Sequence, residues 1–72
     1  MDYFKQNELL HRMASLINQG HTGSAREFGK RIGISRSSVF TYLNKLRTLG
    51  AEIEFCEFRK SYVYVNNQKP HF

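Results

Sequence analysis

The sequence predicts a mainly α domain that closes with a small β-hairpin. Three observations carry that reading. Apolar residues recur at helical spacing in three stretches between residues 2 and 49. From residue 51 the period changes to alternation, with Ile53 and Phe55 set against Glu52 and Glu54. Glycines stand at the joins, since Gly20, Gly33 and Gly50 each follow a helical stretch.

The first helix is expected over residues 2–19. Leu9, Leu10, Met13, Leu16 and Ile17 form one stripe, which Phe4 extends. Asp2 is the expected N-cap and Gly20 the left-handed stop. Lys5, Glu8, His11, Arg12 and Ser15 occupy the other face, so this helix reads as a platform. His21-Thr22-Gly23 is a connector or one short strand. Thr22 or Ser24 caps the second helix, 24–32, which turns Ala25, Phe28 and Ile32 inward. Gly29 costs a helix interior about 1 kcal/mol relative to alanine. Close approach of two helices crossing over a short turn accounts for it. That turn is Gly33-Ile34-Ser35: Gly33 suits a positive φ, Ile34 points to the core and Ser35 caps the third helix.

That third helix is expected over residues 36–49. Val39, Tyr42, Leu43, Leu46 and Leu49 make its buried stripe. Arg36, Ser37, Phe40, Thr41 and Asn44 remain on the other side, with Lys45, Arg47 and Thr48 further round. This face holds donors, acceptors and one ring, and no carboxylate. Residues 51–65 then read as an antiparallel hairpin that turns at Glu57-Phe58-Arg59-Lys60 without a Gly or Asn at its tip. The pattern leaves open whether Tyr62 and Tyr64 or Val63 and Val65 face the core. Phe58 is expected to be a covered ring, with an exposed interaction point as the competing reading. Residues 1–65 form the domain, and 66–72, with Pro70, are expected to be a flexible C-terminal tail.

Seventy-two residues make one domain, and a chain this short buries only about 60% of its unfolded surface. Forty per cent apolar residues suffice for a small core. The single cysteine, Cys56, excludes an internal disulfide and points to a reducing, cytoplasmic setting. His11, His21 and His71 show no ligand spacing with it, so no metal and no cofactor are expected. No apolar run approaches the roughly 20 residues of a membrane span, and no signal-peptide pattern is read. Paired carboxylates, a nucleophile beside a base and a phosphate-cradling loop are all missing, so the chain is not read as an enzyme and has no catalytic residues.

Charge is the feature that points to a partner. The formal net charge is +5. Residues 24–50 contain Arg26, Lys30, Arg31, Arg36, Lys45 and Arg47 against Glu27 alone, while the flanking segments are each neutral. The whole excess sits on one helical hairpin, the footprint expected of a nucleic-acid binder.

Helix, helix, turn, helix and hairpin is the order of a three-helix winged helix-turn-helix domain. The chain resembles the N-terminal DNA-binding domains of DeoR-type regulators and of the biotin repressor. The resembling residues are Ala25, Phe28, Gly29, Ile32, Gly33, Ile34, Ser35, Arg36, Val39, Tyr42, Leu43, Leu46, Leu49, Gly50 and Ile53. The resemblance covers about residues 5–65. It implies that the second helix of the pair enters a major groove while the first lies across the phosphate backbone. Carried over by position, Arg36, Ser37, Phe40, Thr41 and Asn44 face bases. Arg36 suits a guanine edge, Asn44 an adenine edge, and Thr41 and Phe40 a thymine methyl. Packing of Phe40 on the first helix is the competing expectation. Ser24, Arg26, Ser35, Ser38, Lys45 and Arg47 are placed for phosphates. Arg59 and Lys60 stand at the wing tip.

The expected function is sequence-specific binding of double-stranded DNA by a small transcriptional regulator. One recognition helix reads few base pairs, so a homodimer or cooperative binding to repeated half-sites is expected. Glu52, Glu54 and Glu57 on the outward wing face would repel phosphate, so the wing helps only through its tip. They also favour the alternative, a winged-helix protein–protein interaction module without DNA binding.

Overall fold

A computed structural model describes the backbone of residues 3–71 and the side chains from residue 7 to 71. The expected cap Asp2 and the Phe4 side chain lie outside the described part. Three helices are followed by two strands: α1 (Tyr3–Gln19), α2 (Ala25–Ile32), α3 (Arg36–Thr48), β1 (Ile53–Cys56) and β2 (Ser61–Tyr64). The fold class is as the sequence reads, and the order matches a winged-helix topology.

Ser24, not Thr22, caps α2. Its side chain accepts the Glu27 N–H at 3.2 Å, and the Glu27 carboxylate accepts the Ser24 N–H at 3.4 Å. This reciprocal pair is a capping box. Thr22 is freed for another task. It is fully buried between α1 and α2 and meets the equally buried Ser61 at the head of β2. Thr22 N–H donates to Ser61 Oγ at 3.0 Å, and Thr22 Oγ1 accepts the Tyr62 N–H at 2.8 Å. The connector therefore docks the hairpin on the helices through side chains rather than as a strand.

Gly33 ends α2 at φ 78, and the N–H groups of Gly33 and Ile34 both reach back to the Gly29 carbonyl. Gly29 is the point of closest approach. A methyl group there would lie 2.6 Å from the Ile34 carbonyl oxygen. The tight turn needs this position to be empty.

The core joins every element. Leu10, Met13, Ala14 and Ile17 of α1 meet Ala25, Phe28 and Ile32 of α2 and Val39, Tyr42, Leu43 and Leu46 of α3. Ala51, Ile53 and Tyr62 close it from the hairpin. The strands pair antiparallel, Ile53 opposite Tyr64 and Phe55 opposite Tyr62. Cross-strand partners share a face, so Ile53, Phe55, Tyr62 and Tyr64 form the inner one. The tyrosines, not Val63 and Val65, are thus the residues turned to the helices. Tyr62 lies 6.1 Å from the Phe28 ring, and the Tyr64 hydroxyl donates to the Ala14 carbonyl at 3.0 Å. Phe55 departs from simple alternation. It is 39% exposed and meets Tyr62 edge-on at 5.1 Å, because the ring of Tyr62 already fills the space above Phe28.

The segment expected as a tail turns back on the domain. Glu52 N–H donates to Gln68 at 3.0 Å, and His71 N–H donates to Leu49 at 2.7 Å. The His71 ring lies against Gly50.

Candidate nucleic-acid interface

The outward face of α3 is built by its underside. Val39, Tyr42, Leu43 and Leu46 are buried, so Arg36, Ser37, Phe40, Thr41, Asn44, Arg47 and Thr48 are all exposed. None carries a carboxylate. All five expected base-facing residues, Arg36, Ser37, Phe40, Thr41 and Asn44, fall on one exposed stripe at helical spacing.

Several of these side chains are already ordered by neighbours on the same helix. The Arg36 guanidinium lies over the Phe40 ring at 5.3 Å, a cation–π pair one turn apart. Phe40 is 40% exposed and belongs to the outer surface. Thr41 donates its hydroxyl back to the Ser37 carbonyl at 3.3 Å, so its methyl and the acceptor side of its oxygen are what it has left to offer.

Asn44 and Arg47 act together. Arg47 Nη1 donates to Asn44 Oδ1 at 3.0 Å, while Nη2 donates to the Ile53 carbonyl at 3.1 Å. Arg47 thus ties α3 to β1 and orients the Asn44 amide. Asn44 keeps its amide nitrogen as donor and one Oδ1 lone pair as acceptor. The charge of Arg47 still counts toward any phosphate nearby, yet its fork is engaged within the chain.

Ser35 caps α3 by accepting the Ser38 N–H at 3.2 Å and donates its hydroxyl to Ser38 Oγ at 2.9 Å. Ser37 stands 3.3 Å from the Ser35 oxygen. Because Ser38 accepts from Ser35, its own hydrogen is left to donate. Lys45 is half-buried, with Nζ 5.3 Å from the Tyr42 ring. Arg26, Lys30 and Arg31 are exposed on α2. Ser24 differs from the other expected phosphate contacts. The Glu27 carboxylate of the capping box sits beside it, a negative group where a phosphate would approach.

The hairpin joins this surface through Tyr62. Burial pushes its phenol above the ordinary tyrosine value, and the charges of Arg36 and Arg47 oppose that rise. Beyond Tyr62 the hairpin turns over residues 57–60. Lys60 adopts φ 53, the left-handed conformation that the missing glycine would have supplied. The Arg59 guanidinium folds back over Gly20 at the end of α1, where a built methyl would be 2.8 Å from Nη1. Phe58 is not the covered ring that its type suggested. It is 97% exposed, since the four-residue turn projects past the last strand pair and no helix reaches over it. Glu52, Glu54 and Glu57 are exposed as expected. Glu54 pairs with Val63 on the face of the hairpin turned away from the helices.

No protein-family model, curated protein or solved structure matches this chain. The architecture supports a winged-helix type of fold and not one family within it. Among the described residues no group of His, Cys, Asp and Glu is arranged to hold a metal ion, and no helix is long and apolar enough to cross a membrane.

Sequence reasoning missed four features. The buried Thr22–Ser61 pair was hidden because two small polar residues 39 positions apart carry no pattern. The bracing role of Arg47 depends on a carbonyl in the next element. The fold-back of Arg59 is a long-range contact of the same kind. Phe58 gave one usable signal, a large ring among three charged residues at a turn.

Proposed function

We propose that this chain binds double-stranded DNA through the outer face of α3 and acts as a small transcriptional regulator of the DeoR-like type. One observation carries the reading. The exposed stripe of α3 is rich in donors, lacks carboxylates and is held outward by a buried underside.

In this reading α3 lies in the major groove. Arg36 donates to a guanine edge, Asn44 pairs with an adenine edge, and Ser37, Phe40 and Thr41 make the remaining base contacts. Phosphates are met by Arg26, Ser35, Ser38 and Lys45. Arg47 contributes charge while it steadies Asn44. Ser24 is the weakest of the phosphate set, because of Glu27. Arg59 and Lys60 bring the wing tip to the adjacent backbone. Occupancy of the site then blocks or recruits polymerase. Two copies bound to half-sites one helical turn apart, as a homodimer or cooperatively, supply the length of sequence that one helix cannot read.

Selection of bound duplexes from a random pool tests the proposal. The expected result is an enriched motif a few base pairs long, repeated at about 10 base pairs. Recovery of the unselected pool at 50 mM salt would refute it.

The exposure of Phe58 and the acidic outer face of the wing favour a second reading, a protein–protein interaction module. Lack of duplex binding, together with loss of a protein partner on Phe58→Ala, would establish that reading instead.

A further inference from the structure

All three exposed large apolar side chains among the described residues, Phe40, Phe55 and Phe58, belong to α3 and the hairpin. Two of them are accounted for. Phe40 lies under Arg36, and Phe55 lies edge-on against Tyr62. Phe58 has neither partner nor cover, at 97% exposure.

The turn that carries it is nevertheless braced. At the base of the tip, Ser61 is fully buried and bonded to Thr22. Arg59 lies over Gly20, at the carbonyl end of α1. The hairpin thus presents a bare phenyl ring on a short, anchored tip. Its neighbours Arg59 and Lys60 outnumber Glu57, so the tip is cationic while the outer wing face is acidic. An anionic surface with apolar slots fits such a tip, and only the tip.

Resting on the DNA-binding reading, we propose that Phe58 is a wedge. It enters the minor groove beside the major groove held by α3, opens one base step and bends the duplex. Apolar side chains inserted in this way kink DNA by about 20–90°. Lys60, two residues past the ring, is placed to meet a phosphate bordering the minor groove that the wedge opens.

The test uses the full chain and the duplex recovered by selection. The duplex carries a dye at each end and 2-aminopurine at successive steps beside the α3 site. Wild-type protein is expected to shorten the end-to-end distance and to raise 2-aminopurine emission at one step. Phe58→Ala is expected to keep the motif, lose the bend and the emission, and bind no more than about tenfold more weakly. Its melting temperature should match wild type, since the ring is uncovered in the free protein. Phe58→Leu should restore part of the bend. A bound duplex that stays straight, or an equal bend with Phe58→Ala, overturns the wedge while the DNA reading stands. Wild-type protein that binds no duplex at low salt overturns both.

Discussion

Gly29 shows how one missing methyl group sets the crossing of α2 and α3. Alanine would improve helix propensity by about 1 kcal/mol. It would also press a methyl to 2.6 Å from the Ile34 carbonyl oxygen, an atom of the backbone that has no room to move. Overpacking of this kind costs about 1–3 kcal/mol. Gly29→Ala should therefore lower stability by up to about 2 kcal/mol in urea unfolding. Tyr64 gives a pH-dependent counterpart. Burial pushes its phenol up to about 12 from 10. Between those values the folded state holds a proton that the unfolded state has lost. The contribution is complete below pH 10 and declines as the pH rises toward 12. Tyr64→Phe should flatten that alkaline decline. It should also cost about 0.5–1.5 kcal/mol at neutral pH through the bond to Ala14. On α3, Arg36 and Lys45 should separate in function. Arg36→Ala should relax base preference and cost about 1–3 kcal/mol on the selected site. Lys45→Ala should weaken all duplexes alike and lower the salt slope by about one. Quantitative gel shifts on specific and random DNA distinguish the two.

At the scale of elements, α2, the turn and α3 form the rigid unit, and the hairpin is the elaborated one. The tip contains a strained position, because Lys60 stands at φ 53. The left-handed conformation costs a residue with a Cβ about 1–2 kcal/mol, against about 0.5–1 kcal/mol of extra chain entropy for glycine. Lys60→Gly should raise stability by about 0.5–1 kcal/mol, or a few degrees in melting temperature. A melting curve checks it. These elements also show what a linear reading can and cannot see. The stripes of α1 and α3, the Ser35 cap, the stop at Gly33 and the close approach at Gly29 are local patterns, and each is legible. So is the carboxylate-free face of α3, which emerges once the buried stripe is known. The inner face of β2 is not legible, because Tyr and Val both favour strands; the Phe28 ring and the Ala14 carbonyl decide it from far along the chain. The ties of Arg47 and Arg59 are invisible for the same reason. The return of residues 66–71 rests on backbone bonds to Leu49 and Glu52, which no side-chain pattern announces.

For the molecule as a whole, a small core and a polarised surface go together. Among the described residues fourteen apolar side chains, drawn from the helices, the strands and the loop between α3 and β1, form the core, and a domain this small has little spare stability. The polar groups it does bury are satisfied, with no orphan among the described residues. The shared core and the satisfied buried side chains let a short chain present α3 and the wing tip as projections. The cations Arg26, Lys45, Arg59 and Lys60 are the ones that meet phosphate in this reading, while Arg36 reads a base edge and the fork of Arg47 is engaged within the chain. The most direct measurement is fluorescence anisotropy of a labelled random duplex titrated with the protein at rising salt. With about four phosphates neutralised, affinity should fall roughly a hundredfold between 50 and 200 mM salt. Binding that ignores salt, or none at 50 mM, would contradict the assignment of α3 as a DNA-binding surface.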